Sequence, residues 1–485
     1  MSVETATLKN GKTLQFNSDM IGDGAMKEVY FTTDRQKVVC FFKDPQAGSD
    51  RLRVQRLDFI LGKYNPTLPR DAGGAASSAG DAAFYANLFC WPTDIVTQPR
   101  FGIVTATYPN NFFFETGPDF IKGKEKNGVR FLGRRNRQLL EKLAPRELGT
   151  WINYFKLCIT MTRAVARLHL AGLSHSDLSP NNVLVDPVGG SSIVIDIDSL
   201  VVPGLFPPDV LGTKGYIAPE VLSTLPLKFD DPKRQHPSAR TDEHALAVLI
   251  YQYLLLRHPL DGRRIPPGNT AEEQDALQYG SQAIYCEHPT DDSNRVEEPN
   301  YVPNTCLGPL LPDLFKRAFV DGLHQPHRRP SANEWLKALI KTWDLLTPCA
   351  NAQCPQKWHV FDCLKRQCPF CGAAPKQTVP VLRLRYEAKP GQWLADGQLV
   401  VYNNLSLMKW HAFARMFPGP ETDRTPQGYF VWHGGQWLLI NQNLTSLTTA
   451  SGNRVPAGQA VALTHGSQIR LSQEPNGRIV EVQMQ

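Results

Sequence analysis

His175-Ser176-Asp177-Leu178-Ser179-Pro180-Asn181-Asn182-Val183-Leu184-Val185-Asp186 is the stretch on which the reading of this chain turns. A little further on, the β-branched run Ile193-Val194-Ile195 ends in a second acidic pair, Asp196-Ile197-Asp198. The pattern predicts a tight loop carrying one carboxylate and one amide, then a hairpin that returns another carboxylate to the same place. Two carboxylates and an amide suit a hard cation with oxygen ligands, such as Mg²⁺ on a polyphosphate.

The 485-residue chain is long enough for roughly three domains. Its apolar fraction of 42% and charged fraction of 20% are those of a globular protein. A net charge of +6 is small for this length, so charge gives no reason to expect nucleic acid as a partner. The longest apolar run, Ala245 to Leu256, is broken by Gln252 and is too short for the ~20 residues of a membrane span. It reads as a buried helix, and no membrane partner is expected. Met1 to Gly11 has no apolar core of a secretory signal, so a cytoplasmic location is expected. Among the 10 cysteines, Cys349, Cys354, Cys363, Cys368 and Cys371 cluster, which points to a metal site rather than a disulfide framework.

The loop His175–Asp186 resembles the catalytic loop of protein kinases, and Asp196-Ile197-Asp198 resembles their metal-binding segment. The resemblance implies that Asp177 is the catalytic base and that Asn182 and Asp196 ligate Mg²⁺. Downstream, Gly212-Thr213-Lys214-Gly215-Tyr216-Ile217-Ala218-Pro219-Glu220 is similar to the end of a kinase activation loop. Asp242 before the apolar helix and Arg329 in His327-Arg328-Arg329-Pro330 match further large-lobe positions, with Arg329 expected to pair with Glu220. These three are scaffold residues rather than chemistry. RIO-type and aminoglycoside kinases share a loop of the His-Ser-Asp-Leu-Ser kind but lack the Ala-Pro-Glu segment, whose presence favours a protein substrate on serine or threonine. Departures are informative. Ser176 replaces the arginine that clamps a phosphorylated activation loop, Ser179 replaces the lysine that steadies the γ-phosphate, and Asp198 replaces a glycine.

Thr13 to Phe42 reads as strands, with Gly22-Asp23-Gly24-Ala25-Met26-Lys27-Glu28-Val29 turning between two of them. Glycines at 22 and 24 let backbone N–H groups approach phosphate, although most Gly-x-Gly turns are plain hairpins. The strand Val38-Val39-Cys40-Phe41-Phe42-Lys43 ends in a lysine. By resemblance Gly22, Gly24 and Val29 border the nucleotide, and Lys43 contacts its α- and β-phosphates. A helix from Asp50 to Leu61 follows, containing no glutamate to pair with that lysine, so Asp58 is the nearest substitute. Thr105 to Tyr108, including Thr107, should border the adenine. Ala72 to Ala83 reads as a mobile loop, and the basic stretch Lys122 to Arg146, with Arg134, Arg135 and Arg137, as a solvated face. Thr150 begins a helix to about Leu170, with Leu157, Met161, Val165 and Leu168 on its buried side.

Cys349 with Cys354 and Cys368 with Cys371 form two ligand pairs for a closed, structural Zn²⁺ site, with His359 and Cys363 as alternative ligands. From Val379 onward, short alternating strands with Gly and Asn turns predict a small β-sandwich. Lys409-Trp410-His411-Ala412 and Leu463-Thr464-His465-Gly466 resemble a forkhead-associated domain. Met408 stands at its phosphate-binding serine, and a methionine cannot hydrogen-bond phosphate, so a docking or intramolecular role is expected.

The expected fold class is α+β: a bilobal kinase fold followed by a zinc ribbon and an all-β sandwich. The boundaries are 1–109 for the small lobe, 110–345 for the large lobe, 346–376 for the ribbon and 377–485 for the sandwich. The expected function is transfer of the γ-phosphate of ATP, with Mg²⁺, to Ser/Thr of a protein substrate. The alternative is a pseudokinase scaffold that binds nucleotide and partners without transfer. The combination resembles bacterial kinases found beside von Willebrand A-type proteins and metal-dependent protein phosphatases, including tellurite-resistance-type systems, which implies those two partners.

Overall fold

The computed structural model describes residues 2–68, 79–132, 142–202, 205–206, 212–298, 301–419 and 422–485. The chain divides into two compact units. The first comprises 1–149, 153–301 and 314–336, and the second 150–152, 302–313 and 337–485.

The first unit begins with a closed six-stranded barrel: β1 (Val3–Leu8), β2 (Thr13–Asp23), β3 (Lys27–Thr32), β4 (Lys37–Phe42), β5 (Asp94–Gln98) and β6 (Gly102–Ala106). Its order is β1-β2-β3-β4-β6-β5, and antiparallel pairing of β1 with β5 closes it. The sequence reading missed β1, whose first three residues are exposed and whose alternation is short. Side chains on a strand alternate between faces, so β4 divides cleanly. Val39 and Phe41 enter one core with Ala6, Leu8, Phe16, Val96 and Val104. Val38, Cys40 and Phe42 belong to the opposite face, with Leu57, Ile95 and Ile103.

Helix α1 (Arg51–Leu61) starts where expected because the Asp50 side chain accepts from the N–H groups of Leu52 and Arg53. Helix α2 (Ala79–Ala86) occupies the end of the stretch expected as a loop through Ala83, as its alanines favour. Residues 72–78 of that stretch, like Arg134, Arg135 and Arg137, lie outside the described residues. Helix α3 (Trp151–Leu170) buries Leu157, Met161, Val165 and Leu168 completely, as the spacing predicts. It leads into the loop His175–Asn182 and the hairpin β7 (Val183–Asp186) and β8 (Ser191–Val194), paired in register from Val183↔Val194 to Asp186↔Ser191. Helices α4 (Pro219–Thr224) and α5 (Ala239–Leu255) follow, and α5 is buried from Thr241 onward.

In the second unit, a two-stranded ribbon pairs β9 (Leu346–Pro348) with β10 (Trp358–Val360). Two larger sheets follow. One has the order β12-β11-β19-β18-β16, from β11 (Pro380–Lys389), β12 (Gln392–Val400), β16 (Thr448–Thr449), β18 (Gln468–Arg470) and β19 (Arg478–Met484). The other has the order β13-β14-β15-β17, from β13 (Ser406–Leu407), β14 (Gly428–His433), β15 (Gln436–Asn441) and β17 (Ala460–Ala462). A single core drawn from both sheets, including Leu382, Phe430, Leu439, Ile469 and Val480, holds them together. The long strand β11 was not singled out in the sequence.

Candidate active site

The loop and hairpin converge as the sequence predicts. The Asn182 amide donates to the Asp177 carboxylate at 2.9 Å and to the Asp177 carbonyl at 2.8 Å. The Thr213 hydroxyl donates to the other Asp177 oxygen at 2.7 Å, and its oxygen lies 3.1 Å from Ser179 Oγ, within hydrogen-bond distance. Asp177 is thus held at both oxygens, and Thr213 is a positioning residue whose role the sequence reading did not assign. The Ile195 N–H donates to the Asn182 carbonyl at 3.0 Å, which ties the loop to the segment bearing Asp196. Buried Asp242 fixes the loop from beneath, accepting the His175 N–H at 2.7 Å. Ser176 and Asp196 both adopt left-handed backbone, with φ of 65° and 61°. Such conformations in residues other than glycine persist only where surroundings enforce them.

The small lobe supplies a lysine to this site, but from a different strand than expected. Lys27, the first residue of β3, places Nζ 2.9 Å from Asp196 and 2.5 Å from Asp198. Burial alone would lower the ammonium's pKa; the two carboxylates overcome this and raise it well above the ordinary lysine value. Burial likewise pushes Asp196 up, and Lys27 more than offsets it, leaving the carboxyl below its usual range. Lys27 lies opposite Phe42 in the β3–β4 pairing and Val29 lies opposite Cys40, so Lys27 and Val29 share the Cys40–Phe42 face. Burial pushes the Cys40 thiol up to about 12.

Lys43 is not brought to the carboxylates. It follows β4 with the parity of Val39 and Phe41, and its ammonium pairs with Asp23 at the surface. Asp58 does not meet Lys43 either: it lies on the outer side of α1 and accepts two bonds from Lys9, at 2.5 and 2.6 Å. The expected Lys43–Asp58 pair is therefore absent: Lys43, just past the end of β4, is taken by Asp23, and Asp58, on the outer side of α1, by Lys9.

The other expected nucleotide contacts divide. Gly22 pairs with Val29, and Gly24 donates its N–H to the Lys27 carbonyl at 2.9 Å, so both build the hairpin that presents Lys27. Thr105 is buried on β6 opposite Val38. Thr107 gives its N–H to the Gln36 carbonyl and its hydroxyl to the Arg35 carbonyl, so neither donor is available to an adenine.

Behind the site, Arg329 meets Glu220 through two bonds of 2.8 and 2.7 Å, as the sequence predicts. The oxygens of Asp177, Asn182, Asp196 and Asp198 suit a hard cation, and a lysine among them suits an anion. The arrangement can hold a proton acceptor, a metal and a polyphosphate close together.

In the second unit, the sulfurs of Cys349, Cys354, Cys368 and Cys371 lie within 4.8 Å of one another, with 3.5 Å between Cys349 and Cys371 and 4.0 Å between Cys354 and Cys368. A tetrahedral thiolate site with Zn–S of ~2.3 Å has sulfur–sulfur edges of about 3.8 Å, so the four fit such an ion. Backbone N–H donation by Ala373 lowers the Cys371 thiol to about 7. His359 and Cys363 lie outside the cluster.

Residues 136–340 match the family described as protein kinase domain. The serine/threonine-protein kinase RAD53 of Saccharomyces cerevisiae is 28% identical over 198 residues, covering 39% of this chain and 20% of that protein. The serine/threonine-protein kinase PkaB of Streptomyces coelicolor is 33% identical over 109 residues, covering 20% of this chain and 24% of that protein. The chain thus spans between a fifth and a quarter of these curated relatives. A solved structure, the kinase domain of a Toxoplasma gondii rhoptry antigen, matches 70% of this chain and 86% of that chain at 13% identity and a TM-score of 0.40. Residues 136–340 therefore carry a protein kinase domain, similar in sequence to those of serine/threonine kinases.

Proposed function

We propose that this chain is a protein serine/threonine kinase that transfers the γ-phosphate of ATP to a protein hydroxyl. The observation that carries this reading is the Asp177 carboxylate, held by Thr213 and Asn182, with Asn182 in turn tied through its carbonyl to the Ile195 N–H next to Asp196. Asp177 accepts the hydroxyl proton of the substrate and aims the oxygen. Asn182 and Asp196 are the residues to hold Mg²⁺, which when bound neutralises charge on the transferring group. The test is transfer of labelled γ-phosphate to the chain itself or to a generic protein. Transfer by the parent, falling ~10²–10⁴-fold in Asp177→Ala, supports the reading; equal signals from both would sink it.

A second reading, a nucleotide-binding scaffold without transfer, draws on the lack of a Lys43–Asp58 pair. Binding of Mg²⁺ and ATP with no transfer favours it.

The accessory segments extend the proposal. The four clustered cysteines hold one structural Zn²⁺ in a ribbon spanning 346–376, supported by their spacing. Metal analysis of the purified chain should find about one equivalent. The sheets of 377–485 form a forkhead-associated-like module for docking, with Met408 at the position of the phosphate ligand. By resemblance, a von Willebrand A-type protein and a metal-dependent phosphatase are the first partners to try. Among the described residues, no helix is long and apolar enough to cross a membrane.

A further inference from the structure

We propose that Lys27, rather than Lys43, meets the nucleotide phosphates, and that Asp198 takes over the positioning of that lysine from the helix α1. This rests on the phosphoryl-transfer reading above and specifies its site.

Three observations converge. First, Lys27 is the lysine whose Nζ reaches the carboxylates of the loop, at 2.9 Å from Asp196 and 2.5 Å from Asp198. Its side chain is 17% exposed, enough to be reached from the cleft yet held by two partners. Second, the pleat of β4 turns Cys40 and Phe42 toward the face shared with Lys27 and turns Lys43 away. Lys43 lies one residue beyond the end of β4, and there its ammonium pairs with Asp23 rather than with the carboxylates beside the loop. Lys43 is therefore engaged at the surface, away from Asp196 and Asp198. Third, α1 offers no carboxylate to hold a lysine in the cleft. Its one interior acid, Asp58, is engaged by Lys9 on the outer surface. Asp198, 7% exposed, supplies that carboxylate from the large lobe instead.

The chemistry is self-consistent. A phosphate-binding lysine needs an anion that keeps it charged and aimed without competing for every donor. Lys27 has three N–H donors, of which Asp196 and Asp198 take two, so one remains for phosphate. The hairpin of Gly22 and Gly24 sets Lys27 at its foot, so lysine and turn move together. A kinase built this way has its lysine positioned without α1, and displacement of that helix does not break the lysine's ion pair.

The experiment uses the full-length chain and an acyl-phosphate derivative of ATP. A lysine ε-amine near the phosphates attacks the acyl carbon of this mixed anhydride, forming an amide and releasing ATP, and peptide mass mapping locates the amide. Acylation of Lys27 that excess ATP suppresses, with Lys43 unaffected by ATP, is the expected result. ATP-suppressible acylation of Lys43 without Lys27 overturns the proposal. So does binding of a fluorescent ATP analogue with neither lysine acylated. If neither binding nor acylation occurs, the phosphoryl-transfer reading fails, and this proposal with it. Affinity for the fluorescent analogue gives a second measurement. Lys27→Met should weaken it on the order of tenfold or more, the size of a lost charge-assisted bond, and Lys43→Met by less than about twofold. For Asp198, Asp198→Asn should reduce ATP-suppressible acylation of Lys27 and Asp198→Glu should restore it. A purely structural Asp198 would leave the labelling pattern unchanged in both.

Discussion

Two partly buried ion clusters in the first unit contain similar groups and are finished differently. Arg329, with a fully buried side chain, donates to both oxygens of Glu220 and also to the carbonyls of Gly322, Leu323 and Arg240. Charges cancel and the guanidinium is saturated. At the Asp196–Asp198 cluster, one ammonium faces two carboxylates, so these three groups together carry a net negative charge. The first arrangement has nothing left to bind and serves as a frame. The second is stable only at the cost of residual negative potential, which a metal can relieve. The difference between saturation and deficit separates scaffold from site better than burial does.

Breaking the saturated cluster should have the largest effect. Arg329→Ala leaves the Glu220 carboxylate and three carbonyls without their donor, so unfolding free energy from denaturant titration should fall by about 3–5 kcal/mol. A loss under about 1 kcal/mol would mean that the cluster does not lock the lobe. Thr213→Val probes the other cluster's neighbour. It removes the hydroxyl bond to Asp177, and a bond to a charged group is worth about 1.5–3 kcal/mol, so the rate of transfer should drop on the order of tenfold or more. Unchanged transfer by a folded variant would show that Asn182 alone suffices to hold Asp177 in place.

In the second unit, burial rather than a charged partner sets the titration of His359. His359 is buried, neither ring nitrogen has a partner among the described residues, and burial lowers its pKa to about 4. The unfolded imidazole titrates near 6.5, so between about pH 6.5 and 4 the unfolded state binds more protons and stability falls as pH falls. The loss by pH 4 should be on the order of 3 kcal/mol. His359→Phe should remove that slope. Thiolate protonation of the cysteines acts on parent and variant alike, so the difference between their pH profiles isolates the histidine.

The unequal legibility of the two lobes has a physical cause. In the loop His175–Asp186, the functional groups sit a few residues apart on a turn and a hairpin, so order along the chain nearly fixes their meeting. Glu220, Asp242 and Arg329 were legible because each sits at an element boundary marked by proline or a helix start. In the small lobe, function depends on which face a strand turns inward. Val38-Val39-Cys40-Phe41-Phe42 is apolar at every position, so alternation carries no signal there, and the lysine that ends the run looks as well placed as any. The signal that could have found Lys27 is its pairing opposite Phe42, which becomes visible only once the β3–β4 register is known. The closing strand β1 and the tie of Thr107 to the Arg35–Gln36 turn likewise depend on pairing between distant segments.

The smallest expected effect tests the comparison from its other side. Lys43–Asp23 and Lys9–Asp58 are ion pairs at the surface, with side chains 36%, 60%, 47% and 44% exposed in that order. Exposed pairs contribute roughly 0–1 kcal/mol, because water screens the attraction and two long side chains lose freedom in making it. Lys43→Ala and Asp58→Ala should each change unfolding free energy by less than about 1 kcal/mol, with raised salt narrowing the difference further. Their effects should also add in the double variant, since the two residues belong to separate pairs. A coupling energy above about 1 kcal/mol between Lys43 and Asp58 would mean that they meet in a populated state of the small lobe. Lys43 would then regain its place beside the loop carboxylates, and the strand register of β4 would no longer decide which lysine serves the site.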